Sequence, residues 1–172
     1  MWAVSKFRLF IKYWLPVAAW MALIFSGSSD SKSFSHSSRL IAPLMRWLFP
    51  HISADALDLV ILLFRKCAHL TEYAVLALLF WRAVRKPVKG DVRPWSWRLA
   101  GAAILFVALY AASDEWHQTF VPGRDGCVRD VLIDTTGATL GILFWWGLGC
   151  LRKRWRRRYS ERNAPRQFAA QK

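Results

Sequence analysis

Four stretches of this chain are apolar enough to be read as helices in lipid: residues 11–26, 57–81, 97–113 and 128–151. A helix needs about 20 mostly apolar residues to cross the hydrocarbon core. The first stretch is short and holds Pro16. The second is interrupted by Arg65, Lys66, His69 and Glu72, and the fourth carries Asp130 and Asp134 near its start. Residues 26–38 (SGSSDSKSFSHSS) read as a flexible polar link. The following LIAPLMRWLFP is apolar on several sides and reads as a short helix along the membrane surface. The pattern predicts an all-α polytopic membrane protein, a bundle of four transmembrane helices with a short interfacial helix in the first outer loop. Residues 1–158 form the membrane domain and 159–172 a disordered basic tail. A cleaved signal peptide is the rival reading of the first stretch, because basic residues precede an apolar run that ends in SGSS. Spanning is preferred because four crossings give one consistent orientation.

Charge supplies that orientation. Lys6, Arg8 and Lys12 precede the first span, six basic residues lie in RAVRKPVKGDVRPWSWR, and nine lie beyond Cys150. Eighteen of the 25 basic residues fall on one side if both termini are cytoplasmic, as the positive-inside rule asks. The net charge of +14 therefore sits in blocks between apolar runs, which argues for a membrane and against a nucleic-acid partner. A composition that is 55% hydrophobic excludes a disordered chain. Cys67, Cys127 and Cys150 show no CxxC spacing, which argues against a disulfide framework or a structural zinc site.

Five of the eleven acidic residues, Asp114, Glu115, Asp125, Asp130 and Asp134, fall between residues 113 and 141. With the termini inside, they gather in the outer leaflet. So do Lys66, His69 and Glu72, on the outer half of the second span. At 100° per residue Lys66, His69 and Tyr73 share one helix face, with Glu72 at its edge. Asp130 and Asp134 share a face continued by Gly137 and Gly141, a GxxxG that would let a neighbouring helix come close below the carboxylates. Each charge in hydrocarbon costs about 2.5–3.5 kcal/mol on insertion scales, so these groups must pair or face water. The preferred pairs are Lys66 with Asp130 or Asp134, and His69 with Glu115 or Asp134. The turn FVPGRDGC, with Gly123 at a positive-φ position, would hold Arg124 at the mouth.

Residues 113–141 resemble the signature of the VanZ-like family of bacterial membrane proteins. The D-E-x-x-Q motif falls on Asp114, Glu115 and Gln118, and the P-G-R turn on Pro122, Gly123 and Arg124. The D-x-x-x-[ND]-x-x-G helix falls on Asp130, Asp134 and Gly137. The K-x-x-H-x-x-E-Y-x-x-L pattern falls on Lys66, His69, Glu72, Tyr73 and Leu76. The family takes its name from a member linked to lowered susceptibility to the glycopeptide antibiotic teicoplanin. The resemblance implies a multi-pass protein of the bacterial cytoplasmic (inner) membrane with a role at the envelope; it implies no reaction.

Three readings of the polar cluster follow. It fixes how four helices register. Or it is an outward site for membrane lipids or a lipid-linked cell-envelope precursor. Lys66, Arg124 and Arg129 would then meet phosphate, and Glu72, Tyr73, Asp114, His117 and Gln118 the rest of the head group. Or it is an intramembrane enzyme acting on a lipid-linked phosphate or sugar, with Glu115, Asp130, Asp134 and His69 as acid/base groups. A divalent ion on Glu115, Asp130 and Asp134 would be a variant of the third reading. No cofactor and no metal site is assigned. A homo-oligomer is one expected partner state, and Gly147 and Gly149 with Trp145 and Trp146 could line its interface, although the two Trp read first as part of the inner interfacial belt.

Overall fold

A computed structural model describes residues 2–28, 33–87, 91, 93–122 and 126–163. Its elements are all helices: α1 (Trp2–Ser28), α2 (Ser33–Leu48), α3 (Ala54–Arg85), α4 (Trp97–Gln118) and α5 (Val128–Asn163). Among the described residues, three segments are long and apolar enough to cross a membrane, Phe7–Ser28, Trp97–Gln118 and Val128–Tyr159. The composition of α3, with Arg65, Lys66, His69 and Glu72 inside it, sets it apart from these three. The chain divides into two compact units, Met1–Ile142 and Leu143–Lys172.

Local chemistry sets the helix ends. Ser53 caps α3, its hydroxyl accepting from the Ala56 N–H at 3.3 Å. Ser96 caps α4 in the same way, through the Leu99 N–H at 3.4 Å. Lys86 ends α3 in the left-handed region (φ 47°), donating its N–H to the Arg82 carbonyl at 2.9 Å. Pro87 follows and cannot continue the helix. The connection after it is tied by arginines. Arg85 donates to the carbonyls of Arg93 and Pro94, and Arg93 donates back to the Arg85 carbonyl.

Two readings of the polar link need correction. Of residues 26–38, Ser26 to Ser28 close α1, residues 33–38 open α2, and 29–32 lie outside the described residues. Serine is only mildly unfavourable in a helix. The apolar half of α2 then docks the element on α3, where Ile41, Leu57 and Ile61 are buried together. The expected interfacial helix is thus longer than LIAPLMRWLFP, and it leaves Leu44, Trp47, Leu48 and Phe49 exposed. At the other end, α5 continues through residues 159–163, where a disordered tail was expected; residues 164–172 lie outside the described residues. In the second unit Trp155 stacks on Tyr159 (5.5 Å, 21°) and Arg152 lies over the Trp145 ring.

Small residues make the buried face of α4, while the rest of the core includes large side chains such as Tyr13, Tyr73, Leu76 and Trp81. The buried stripe of α4 is Ala100, Ala103, Val107 and Ala111, continued by Asp114 and Gln118. Leu105 and Leu109 on the same helix are exposed, as are Phe10, Leu15 and Leu23 on α1 and Leu62, Leu63 and Phe64 on α3. That arrangement suits lipid, where close packing of small residues, not water exclusion, holds helices together. α3 is the central element. It packs against α1, α2 and α4, and it meets α5 at two glycines. A Cβ on Gly137 would sit 2.4 Å from the Leu70 carbonyl oxygen, and one on Gly141 would sit 2.8 Å from the Ala74 Cβ. The GxxxG is therefore the seat of α3 on α5.

Gly137→Ala should lower stability in detergent by about 1–3 kcal/mol, because α3 backbone stands in the way. Gly149→Ala meets nothing within 4 Å and should gain up to about 1 kcal/mol of helix propensity. Thermal melting of both variants checks this; equal shifts would deny the close contact. A second expectation concerns Asp91, which accepts from Arg93 Nε at 2.9 Å and Nη2 at 2.8 Å. Hydrogen bonds from Arg93 hold its carboxyl well below the usual carboxylate range, against some desolvation and helped by the charges of Arg93 and Arg85. A depressed folded-state value means the tie is present at neutral pH and is lost only as pH falls below the ordinary Asp range. Exchange of the Arg93 amide, which donates to Asp91 Oδ1 at 3.0 Å, corrected for its intrinsic rate, should stay slow from about pH 7 to about pH 5 in wild type. Asp91→Asn should speed it several-fold at both ends of that range.

Candidate functional site

The polar residues meet where α3, α4 and α5 converge, and α1 joins them. Lys66 on α3 pairs with Asp130 on α5, as the helix faces predict, and the two side chains are 26% and 32% exposed. One turn further along each helix, His69 Nδ1 lies 3.8 Å from Asp134 Oδ1. That is too long to be a hydrogen bond, and it becomes a charge contact when the imidazole is protonated. His69 is 28% exposed and Asp134 only 3%, so the two rungs grade from an open rim to a buried base. Below them the glycine seat brings α3 and α5 backbones together. The spacing of i, i+3 or i+4 on each helix turns one close crossing into two stacked charge contacts.

A second cluster lies between α1, α3 and α4. Asp114 Oδ2 accepts from Ser28 Oγ at 2.6 Å, from Gln118 Nε2 at 3.0 Å and from Tyr73 OH at 3.4 Å. Gln118 also bonds Ser28 Oγ. Asp114, Gln118, Ser28 and Tyr73 are all buried. The other carboxylate oxygen, Oδ1, is buried with no hydrogen-bond partner among the described residues. An unsatisfied buried acceptor costs free energy, so Asp114 is the one member of the cluster with unused capacity for a donor.

Glu115, placed by its motif among the acid/base candidates, has a structural task. Its Oε2 accepts the Cys127 N–H at 2.9 Å, just before α5 begins. Gly126 is pressed against the same residue, since a Cβ there would lie 2.4 Å from the Glu115 carbonyl oxygen. Glu115 thus fastens the start of α5 to the end of α4. His117 is held elsewhere, its ring 4.5 Å from the Phe25 ring of α1. Arg129 is 76% exposed, with Nε 4.0 Å from Asp130 Oδ1, so it stands on the rim beside the Lys66 pair. Glu72 is half-buried, and its backbone carbonyl accepts the indole N–H of Trp20 at 2.9 Å. Arg124, with Gly123 and Asp125 around it, lies outside the described residues. Among the described residues no three His, Cys, Asp or Glu side chains gather closely enough to hold a metal ion.

Ser28 is the participant that sequence reading missed. It looked like part of a polar link. A signal was present: Tyr13, Val17, Ile24 and Ser28 are the buried residues of α1, and at 100° per residue they fall within an arc of about 60°. Ser28 continues the core stripe of α1 and delivers a hydroxyl to Asp114 at its end.

Apolar outer faces, three helices of spanning length and a polar cluster buried among helices define a helical membrane protein. The family model described as VanZ/LLP1 matches residues 13–151. The chain belongs to that family, and the match takes in all the residues of both polar clusters. No curated protein sequence and no solved structure matches the chain.

A double-mutant cycle on Lys66→Met and Asp130→Asn tests whether the rim pair joins α3 to α5. The coupling energy from melting in detergent should be about 1–3 kcal/mol, as for contacting residues, above the roughly 0.2–1 kcal/mol of fully exposed pairs. Additive losses, or an Asp130→Asn protein at least as stable as wild type, would show that the pair is kept for something other than helix registration.

Proposed function

We propose that this protein crosses the cytoplasmic membrane four times, through α1, α3, α4 and α5, with both termini in the cytoplasm. α2 lies on the outer surface. The basic blocks at residues 6–12, 82–98 and beyond 150 support this orientation. α3 qualifies as the fourth span because its charged residues are met by α4 and α5 and its apolar residues Leu62, Leu63 and Phe64 face outward. The polar clusters then lie in the outer leaflet, and they serve as the binding site for the head group of an envelope lipid or lipid-linked cell-envelope precursor.

One observation carries this reading: the Lys66–Asp130 pair is open to the outside while the carboxylates beneath it are closed in. A cluster that only registered helices would gain from replacing its ion pair with well-packed apolar groups. An open lysine beside the exposed Arg129 suits phosphate. The graded descent to Asp134 and Asp114 suits hydroxyl or amide donors attached to it. Occupying such a lipid at the outer face would lower susceptibility to glycopeptides such as teicoplanin. The His69–Asp134 contact favours a second reading, in which Asp134 orients the imidazole for acid/base work on the same head group.

Binding of a short-chain polyprenyl phosphate to detergent-purified protein tests the proposal. Wild type should bind it, and Lys66→Met with Arg129→Gln should bind it about tenfold or more weakly, the size expected for lost charge-assisted hydrogen bonds. Equal binding by both proteins would remove the head-group reading. Release of inorganic phosphate or free lipid by wild type, abolished in His69→Gln, would replace binding with catalysis.

A further inference from the structure

α1 and α4 both rest on α3, but along the first half of α1 they stand apart. A groove with a volume of about 470 Å³ runs there, lined by Phe10, Ile11, Trp14, Leu15, Ala18 and Met21 of α1 and Phe106 of α4. Two of its lining rings, Trp14 and Phe106, belong to an aromatic series that crosses three helices. Trp14 meets Phe80 edge-on at 5.7 Å, and Phe80 stacks on Phe106 at 4.0 Å and 12°. At one end it is closed by Tyr110, whose hydroxyl donates to the Met21 carbonyl at 2.7 Å.

The other end is basic. Tyr110 is bonded to Met21, and Ser28 is bonded to Asp114 and Gln118, so parallel α1 and α4 are held at a constant offset of 86 to 90 residues. That offset puts Arg98 of α4 level with residues 8–12 of α1. Arg8 and Arg98 are exposed and share one level at the open end of the groove, while Lys12 turns aside, its ammonium over the Tyr13 ring. Arg8 stands one turn before the wall formed by Ile11 and Leu15, on the same face.

From these features we infer that the groove is a binding site for one acyl chain of an anionic phospholipid, with its head-group phosphate at Arg8 and Arg98. Three magnitudes select this occupant. From Phe10 to Met21 the groove runs about 16 Å at 1.5 Å per residue, which matches the roughly 15 Å of one leaflet's share of the hydrocarbon core. Dividing its volume by that length gives a cross-section of about 29 Å², far below the roughly 80–110 Å² of a helix with side chains. The lining is also wrong for a partner helix. Close helix contacts in lipid use Gly, Ala and Ser, and here six of the seven named lining residues are large. The positive level at the open end then selects an anionic head group over a zwitterionic one. This site is separate from the polar clusters, which begin where α1 ends.

Native mass spectrometry and melting of the full-length protein in detergent test the site, with dioleoyl phosphatidylglycerol and dioleoyl phosphatidylcholine as probes. Wild type should retain one phosphatidylglycerol per chain, at an apparent affinity about tenfold or more above phosphatidylcholine, and it should melt higher in its presence. Ala18→Trp, at an exposed position of the wall, should fill the groove and abolish retention of both lipids. Arg8→Gln with Arg98→Gln should keep the chain site and remove the preference between head groups. Equal retention of the two lipids by wild type overturns the inference without recourse to any variant. So does retention by Ala18→Trp at the wild-type level. A wild-type dimer in light scattering that Ala18→Trp converts to monomer would assign the groove to a second copy instead.

Discussion

A charge carried into a lipid-facing helix has to be covered, and α3 carries several. Lys66, His69 and Glu72 stand within seven residues of one another on a helix whose other face is leucine and phenylalanine. Each would cost a few kcal/mol against hydrocarbon. The remaining helices are arranged around that problem. α5 reaches α3 closely enough to cover Lys66 and His69 only because Gly137 and Gly141 lack side chains at the crossing. α4 approaches along an alanine stripe and ends in Asp114 and Gln118, the two residues that complete the inner cluster. The glycines and the carboxylates on α5 are therefore one device: the first bring the backbone near, and the second use the nearness.

The same constraint explains what could be read from the sequence. Periodicity located four of the helices and the α2 segment, because lipid-facing residues are uniformly apolar and the polar exceptions recur at helical spacing. It also set Lys66 opposite Asp130 or Asp134 and His69 opposite Glu115 or Asp134, and the structure selects Asp130 for the first and Asp134 for the second. It did less well where an interaction depends on a helix end. Glu115 was grouped with the acid/base candidates, yet its carboxylate receives the Cys127 N–H, a backbone contact that no residue pattern announces. Serine-rich composition hid both the end of α1 and the start of α2, because composition reports solvation and not the stripe on which a particular serine falls. The family assignment rested on residues that now divide into distinct groups: an open rim, a buried base and a fastening at the α4–α5 turn.

The two polar clusters differ in kind. The inner one joins α1, α3 and α4 through neutral donors that converge on a single carboxylate oxygen. The outer one is built from opposite charges on α3 and α5. The inner cluster resists opening because Tyr73 and Asp114 are closed in by packing. The outer pair can exchange partners, since roughly a quarter to a third of each side chain is open. A site of this build keeps its floor fixed while its rim adapts.

The docking of α1 has a consequence for how these proteins diverge. Tyr13 donates to the carbonyl of Pro87, Trp20 to that of Glu72, and Tyr110 to that of Met21. In each case one aromatic side chain is specified, while its partner contributes only main chain. Residues 21, 72 and 87 can therefore be exchanged without disturbing the contact, so substitutions at the two ends of each bond need not track one another. A search for correlated changes among relatives would be blind to these three fastenings. It would show instead three solitary aromatic positions that vary little and have no visible reason to.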